Sequence, residues 1–429
     1  MARPAANSVL LSLILAELLC FSSVTMAAYN VVSFGAKPDG RTDSAPAFTA
    51  AWRNACSSGE PATMVVPEGK FLVSRALFQG PCKNNKIRIF IQGSLVGYSG
   101  YSGAPEWITF KYVTGVSVYG GTFDARGQSL WACKAARRHC PNGSRALTIS
   151  QSKDVLLSGV KVMNSENFQV GILFSRAVTV VGATITAPWD SPNTDGIHLH
   201  MSTGVTVTGS TISTGDDCIS IGEGVTNTWI ENIHCGPGHG ISIGSLGGSP
   251  GNNAGVQNVT VGSVVFAGTQ NGFRIKTWAT PYKGFVKGVT FQHAAMINVK
   301  NPIIIDQNYC PYHKNCPNQV CIFIFKSNNY TQLHFGYVQI TQFHNDVMQA
   351  RLLRSSGIKI TDVVFNDVHG TSAKTVAINL ECSPTNPCRG IELRDIKLSY
   401  QGGKQQTAQS LCDNVQGISA GVITPPSCL

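Results

Sequence analysis

Charged residues are scarce in this chain. Asp, Glu, Lys and Arg make up 13% of the 429 residues, whereas an average soluble protein carries roughly 25%. Hydrophobic residues reach 43%, and the chain contains 44 glycines. A chain with this little charge and this much apolar content does not have the composition of a disordered protein. We therefore expect a folded protein with many turns.

Apolar runs long enough to cross a membrane are also lacking. Residues 1–27 contain one arginine, a short apolar run from Val9 to Phe21 and small residues at the end, which predicts a secretory signal peptide. A buried N-terminal helix is the alternative. The signal peptide predicts that the mature chain, residues 28–429, is secreted and extracellular, without a membrane partner.

Cysteine spacings typical of zinc sites are absent as well. Of 14 cysteines, Cys20 would leave with the signal peptide, and most others lie close to a second cysteine. In an oxidising compartment this predicts disulfide bonds. The predicted pairs are Cys56 with Cys82, Cys133 with Cys140, Cys218 with Cys235, Cys310 with Cys316, Cys382 with Cys388, and Cys412 with Cys428. Cys321 has no predicted partner.

The charge that is present has a basic excess, because the formal net charge is +10. A basic protein favours an acidic partner. The sequence has no basic helix and no cluster of arginines with aromatic residues, which argues against nucleic acid. A polyanionic glycan fits better. Asn-x-Ser/Thr sequons at Asn142, Asn258 and Asn329 predict glycosylated surface positions.

A short β-branched alternation closed by Gly, Asn or Asp recurs from about residue 150 to residue 300, at intervals of some 20 to 30 residues. Examples are residues 155–162, 178–185, 205–212 and 259–266. Helical segments between these strands are lacking, which excludes a doubly wound sheet, and the interval is too short for four-stranded propeller blades. The pattern predicts an all-β fold, a single-domain parallel β-helix whose aliphatic side chains fill the bore. An antiparallel sandwich is the alternative.

The open end of such a solenoid exposes strand edges and needs a cap. Residues Asp43 to Cys56 predict a capping helix. Asp43 or Ser44 can cap its N-terminus, Pro46 lies in its first turn, and the apolar residues that follow form one face.

Three polar motifs are spaced by about one repeat, namely Asn193-Thr194-Asp195-Gly196, Gly215-Asp216-Asp217-Cys218 and Gly238-His239-Gly240. Residues one turn apart lie above one another in a solenoid, so the three carboxylates are expected to meet. Crowded carboxylates raise at least one pKa, and hydrolysis of a glycosidic bond needs one protonated acid and one ionised base. Taken singly, each motif has a structural alternative: a turn, a calcium site or a structural histidine.

A fourth motif, Arg274-Ile275-Lys276, follows by a longer step. Alternation along a strand places Arg274 and Lys276 on the same side, where both can bind the carboxylate of a uronic acid. His239 can hydrogen-bond the acid and help to hold its proton.

In this order the four motifs resemble glycoside hydrolase family 28, the polygalacturonases. Tyr309 in Asp306-Gln307-Asn308-Tyr309-Cys310 fits as well, and the resemblance covers nearly the whole mature chain. It implies a pectin-lyase-like right-handed parallel β-helix, a monomer, and inverting hydrolysis of α-1,4-linked galacturonan in pectin of the plant cell wall, without metal or cofactor. Inverting enzymes usually separate acid and base by about 6.5–9.5 Å.

The resemblance also implies residue roles. Asp216 is expected to be the general acid that keeps its proton, while Asp195 and Asp217 work ionised to activate water. The expected binding or tuning residues are Asn193, His239, Arg274, Lys276 and Tyr309.

The ends of the mature chain, Val32 to Ala36 and Pro425 to Cys428, resemble plant members of the exo-acting pollen type, which favours exo over endo action. The alternatives are a hydrolase of another pectic polymer such as rhamnogalacturonan, a calcium-dependent pectate lyase, and a catalytically impaired wall-binding homologue.

One segment departs from the family pattern. After Cys316 the family proceeds within a few residues to a strand like Gly357 to Ile360, but here residues 320–355 intervene, with one glycine and without the repeated alternation. The segment also contains Cys321. We interpret it as an atypical insertion from a retained intron or a gene-model error, the alternative being a real lid loop.

Overall fold

The repeated alternation forms strands that stack in parallel. The computed structural model describes residues 27–101, 103–249, 255–311, 320–327, 330–335, 349–353, 355–402 and 407–429. The predicted signal peptide therefore lies outside the described residues except for Ala27. Within the described part of the chain, no helix has the length and apolar character needed to cross a membrane.

The larger of two parallel sheets has 17 strands among the described residues. They are β1 (Ala27–Asn30), β2 (Asp39–Asp43), β3 (Ala62–Val66), β4 (Lys70–Leu72), β6 (Ile87–Val96), β8 (Thr114–Asp124), β10 (Lys153–Ser158), β11 (Lys161–Met163), β13 (Arg176–Val181), β14 (Thr184–Thr186), β16 (Thr206–Ser213), β18 (Thr226–Cys235), β20 (Val256–Ala267), β22 (Gly284–Val299), β27 (Ile358–Ser372), β29 (Cys388–Tyr400) and β31 (Val415–Thr424).

The second sheet has 11 described strands and carries the polar motifs. Its strands are β5 (Ala76–Gln79), β7 (Glu106–Lys111), β9 (Arg145–Ser150), β12 (Val170–Leu173), β15 (Ile197–His200), β17 (Ile219–Ile221), β19 (Ile241–Leu246), β21 (Asn271–Trp278), β23 (Asn301–Tyr309), β28 (Val376–Glu381) and β30 (Gln409–Asp413).

Each repeat of the sequence makes one turn of the coil. Val180 lies beside Val207 in the parallel pair β13–β16, and Val207 lies beside Ile230 in the parallel pair β16–β18. All three side chains are fully buried, and burying an aliphatic side chain of this size contributes about 1.5–3 kcal/mol. The parallel pairing confirms the predicted β-helix and rules out the antiparallel sandwich.

The N-terminal cap is confirmed. Helix α1 (Ala45–Ser57) begins where predicted, and the Asp43 carboxylate accepts hydrogen bonds from the backbone N–H groups of Ala45 and Ser74 at 3.1 and 2.9 Å. Trp52 is buried, and its indole N–H donates to the carbonyl of Gln79 at 3.0 Å. The helix thus covers the open end of the coil. A second helix, α2, spans Gln128–Ala135.

Five of the predicted disulfide bonds form. They are Cys56–Cys82, Cys133–Cys140, Cys218–Cys235, Cys382–Cys388 and Cys412–Cys428. Cys316 and the sequon residue Asn329 lie outside the described residues. Asn142 and Asn258 are exposed, and their glycosylation stays a prediction.

The atypical segment contributes three further strands, β24 (Val320–Ser327), β25 (Tyr330–Phe335) and β26 (Gln349–Leu353). They form an antiparallel sheet of their own. The coil continues across the segment, because β22 pairs directly with β27, and β23 with β28. The segment therefore sits in a connection between two strands of the coil.

Candidate active site

Two successive turns of the coil bring the three predicted carboxylates together. Asp195 lies just before β15, and Asp216 and Asp217 lie just before β17, which pairs with β15 in parallel. The backbone N–H of Gly196 donates to the carbonyl of Asp217 at 2.9 Å. A Cβ on Gly196 would lie 2.5 Å from the carbonyl oxygen of Cys218, so only glycine permits this close stacking of the turns.

The carboxylate of Asp217 is held by two cationic side chains and a serine hydroxyl. One carboxylate oxygen accepts hydrogen bonds from Arg274 and Ser242, and the other accepts from the Lys276 ammonium, each at 2.7 Å. Burial alone would raise the pKa of Asp217, but Lys276 and Arg274 outweigh burial and bring the pKa down to about 2. Asp217 is therefore ionised at neutral pH.

Asp195 has the opposite environment. Its carboxyl is buried, and burial together with the nearby carboxylates of Asp216 and Asp217 raises its pKa well above the ordinary value. A hydrogen bond from Ser220 offsets only part of this shift. The raised pKa thus falls on a residue that the resemblance assigns to an ionised base. Because coupled carboxylates titrate together, the proton belongs to the cluster rather than to one oxygen.

Asp216 is the more accessible acid, with 20% of its side chain exposed. One carboxylate oxygen lies 2.9 Å from Nδ1 of His239 and also accepts the backbone N–H of Asp217 at 2.9 Å. Asn271 donates to the carbonyl of His239 at 2.8 Å and fixes that turn. The acid that faces the solvent therefore has a histidine positioned beside it.

The remaining predicted residues surround this cluster. Tyr309 ends β23, where its ring centre lies 5.5 Å from Nζ of Lys276 and 5.4 Å from the ring of Trp278. Burial, the largest influence on it, raises the pKa of Tyr309. Asn193 is exposed two residues before Asp195 and has a left-handed backbone with φ of 59°.

Sequence reasoning missed a row of small polar residues that holds the acids. Ser220 and Ser242 lie side by side in β17 and β19, in register with His198 before them and Arg274 after them. Nδ1 of His198 lies 2.8 Å from Oγ of Ser220. Burial, with His200 and Arg145 nearby, lowers the pKa of His198 to about 3, so its ring is neutral. An alignment of the strands in register, with attention to their outward-facing positions, would have indicated this row of residues.

Asp216, Asp217 and His239 each offer one ligand atom, and these atoms lie within 4.8 Å of one another. Such a group can hold a metal ion, but both oxygens of Asp217 already contact Arg274 or Lys276. An added cation would have to compete with two positive charges, so these residues fit a metal poorly.

The carboxylate oxygens of Asp216 and Asp217 within this group lie no more than 4.8 Å apart. This distance is shorter than the separation of about 6.5–9.5 Å that is usual between the acid and base of inverting enzymes.

The raised pKa of Asp195 leads to a prediction about stability. The folded protein retains a proton that the unfolded chain releases, so stability falls as pH rises above about 3.9, the ordinary pKa of Asp. Asp195→Asn is therefore expected to stabilise the protein at pH 7 by about 0.5–2 kcal/mol, with the gain shrinking as pH approaches 4. Urea unfolding at several pH values measures this. Equal stability of variant and wild type at pH 7 would contradict the raised pKa of this buried carboxyl.

Comparison with known proteins gives one consistent family. The family model described as "Glycosyl hydrolases family 28" matches residues 56–326 and 324–422. A polygalacturonase of Prunus persica is 46% identical over 423 residues, covering 98% of each chain, and an exopolygalacturonase of Platanus acerifolia is 36% identical over 404 residues, covering 93% of this chain and 97% of its own.

Solved structures support the fold. An endo-xylogalacturonan hydrolase from Aspergillus tubingensis superposes with a TM-score of 0.71 at 22% identity, covering 92% of this chain and 98% of its own. A hyperthermoactive exopolygalacturonase from Thermotoga maritima superposes with a TM-score of 0.68 at 16% identity, covering 91% of each chain.

Proposed function

The chain belongs to glycosyl hydrolases family 28, and from this premise we propose that it hydrolyses α-1,4-galacturonosyl linkages of polygalacturonate with inversion. One observation carries the proposal: an accessible carboxyl, Asp216, lies beside an ionised one, Asp217, which two buried cations hold in place. The proton retained by the cluster and the ionised carboxylate of Asp217 together provide the two protonation states that glycosidic hydrolysis requires.

In this mechanism Asp216 delivers the proton of the cluster to the glycosidic oxygen, with His239 fixing the orientation of its carboxyl. Asp217 and Asp195 accept a proton from the attacking water. Nucleophilic attack by Asp217 on the sugar would require its oxygens to leave Arg274, Lys276 and Ser242. To accept a proton from water, Asp217 needs only one free lone pair and can keep its hydrogen bonds to these side chains. This difference favours inversion over a covalent intermediate.

The substrate carboxylate is expected to bind Arg274 and Lys276. An arginine has five N–H donors and a lysine three, and the bonds to Asp217 and Ser242 use only part of this capacity. Both side chains are almost fully buried, so an incoming uronate would bind in a site of low dielectric, where a charge-assisted hydrogen bond is strong. We expect Tyr309 and Asn193 to contact the same sugar.

Incubation with polygalacturonate tests this function. We expect new reducing ends without ultraviolet-absorbing unsaturated products, and no reaction with a neutral galactan. Unsaturated products would indicate a lyase and contradict the proposal. We further propose exo action, for which monogalacturonate should accumulate from the start, whereas an endo enzyme releases mixed oligomers.

We also propose that the protein acts as a secreted monomer in the cell wall. Relatives named polygalacturonases and five disulfide bonds among the described residues support action outside the cell. Neither a membrane nor a nucleic acid is expected as a partner. Size-exclusion chromatography of the secreted protein tests the oligomeric state.

Residues 320–355 are proposed to be an insertion that the coil does not need. The pairing of β22 with β27 and of β23 with β28 bypasses the segment. Sequencing the transcript decides its origin. A mature message encoding these residues would contradict a retained intron or gene-model error and identify a genuine loop.

A further inference from the structure

Four successive strands of the second sheet end in the same unusual backbone conformation. The residues that follow β7, β9, β12 and β15 are Tyr112, Gln151, Phe174 and Met201, with φ between 48° and 57°. The backbone N–H of each donates to a carbonyl of the next turn. These residues therefore stack along the coil at steps of about 4.8 Å.

Left-handed backbone is uncommon for bulky side chains, because Cβ crowds the neighbouring carbonyl. Other turns of this coil place asparagine in the same conformation, as at Asn227, Asn232, Asn258 and Asn298. Bulky residues have this conformation elsewhere too, as at Arg126 and His293, but here three of them stack in one row. Backbone outliers concentrate at functional sites.

A row of buried serines beneath these residues holds the strained turns. The backbone N–H of Val113, Ser152 and Ser175 donates to the hydroxyl of the serine one turn further along, at 3.0–3.2 Å. Each serine hydroxyl also donates to a carbonyl two residues before it. This framework fixes the conformation whichever side chain points outward, so the choice of bulky residues is not a requirement of the fold.

The side chains concerned face solvent. Tyr112, Phe174 and Met201 are 42%, 53% and 40% exposed, and we call these three residues the apolar ledge. The ledge lines a concave pocket of about 590 Å³ that Lys153 and Arg176 also line. Exposed apolar side chains grouped in a concavity mark a binding surface rather than ordinary surface.

Positive side chains outnumber negative ones around the ledge, where Glu223 acts on His200 and Asp154 lies beside Lys153. Nζ of Lys111 lies 5.1 Å above the ring of Tyr112, and Lys153 and Arg176 line the pocket itself. Asp154 lies 3.4 Å from Lys153, but both side chains are about half exposed, and such pairs contribute little. Flat apolar rings with flanking cations match a sugar that carries a carboxylate.

The ledge lies at the end of β15 opposite to Asp195, about 16 Å along the strand from the candidate active site. The ring of Phe174 meets the ring of His200 edge-on at 5.4 Å, and His200 ends β15, the strand that follows Asp195. A polymer bound at the carboxylate cluster can therefore extend onto the ledge.

We propose that the apolar ledge, with Lys111, Lys153 and Arg176, is a second binding surface for the acidic polysaccharide, outside the catalytic cluster. This inference rests on the proposed function for the identity of the polymer. The ledge holds a distant part of the chain while Asp216 and its neighbours cleave, which increases the effective concentration of the polymer at the site.

The double variant Tyr112→Asn with Phe174→Asn tests the ledge, because asparagine tolerates the left-handed backbone. We expect equal or higher thermal stability, a KM on long polygalacturonate raised about fivefold or more, and an unchanged KM and kcat on trigalacturonate. Trp229→Thr is the matched control. It removes an exposed aromatic residue from β18 in the other sheet, and both KM values should stay at the wild-type level.

Electrophoresis through gels containing polygalacturonate measures binding without catalysis. We expect the wild type and Trp229→Thr to be retarded and the double variant to migrate faster, with no retardation of any of them in neutral galactan. Equal retardation of wild type and double variant, together with an unchanged KM on the long polymer, would overturn the inference. If the wild type fails to hydrolyse polygalacturonate but is still retarded by it, and the double variant is retarded less, only the proposed function would be refuted.

Discussion

Asp216→Asn is expected to lower kcat on polygalacturonate by about 10²- to 10⁴-fold, the usual contribution of a general acid. Asparagine has the same shape and can still accept the backbone N–H of Asp217, now 2.9 Å from the carboxylate. It has no acidic proton to give to the leaving oxygen. Initial rates of reducing-end formation measure the loss, and circular dichroism should show an unchanged fold.

The matched control for this variant is Asp154→Asn, which alters an aspartate that is about half exposed, away from the carboxylate cluster. Its kcat should equal that of the wild type. Full activity of Asp216→Asn would show that another group protonates the leaving oxygen and would remove Asp216 from its assigned role.

Asp217→Asn is expected to cost about 3–5 kcal/mol of unfolding free energy, because it leaves buried charges without their partner. Arg274 and Lys276 are only 8% and 7% exposed, so water replaces the lost carboxylate only in part. Because the pKa of Asp217 is lowered to about 2, the stability that its ionised carboxylate contributes depends on pH. This contribution is present above about pH 4 and is lost as pH falls towards 2. Urea unfolding at pH 7 measures the cost.

Asp195→Asn is the comparison for Asp217→Asn. Two aspartates in one cluster should respond oppositely to the same substitution at pH 7, since one is ionised between two cations and the other is buried without a cation of its own. A loss below about 1 kcal/mol for Asp217→Asn, the range of an exposed ion pair, would contradict the account of this buried cluster.

The grouping of the three acids could be predicted from sequence, because a solenoid converts a regular interval into proximity. Asp195 and Asp216 are 21 residues apart, and the pairing of β15 with β17 places them on neighbouring turns. The same reasoning placed Arg274 and Lys276 on one side of their strand. Their shared contact with Asp217 could not be predicted, since it depends on side-chain reach across two turns.

The location of the proton also could not be derived from sequence. The resemblance makes Asp195 an ionised base, but burial and two neighbouring carboxylates raise its pKa. Desolvation depends on the packing of the whole turn, which no local motif records. Ser220, Ser242 and His198 were missed for a related reason: a single serine or histidine within a strand carries no signal until the strands are placed in register.

Inversion at an α-linked galacturonoside needs a direct test, because Asp216 and Asp217 lie closer together than the acid and base of most inverting enzymes. Proton NMR during the first minutes of hydrolysis reports the configuration of the new reducing end. For inversion, we expect the β-anomer to appear first and the α-anomer to grow in later by mutarotation. Initial appearance of the α-anomer would mean retention through a covalent intermediate and would contradict it.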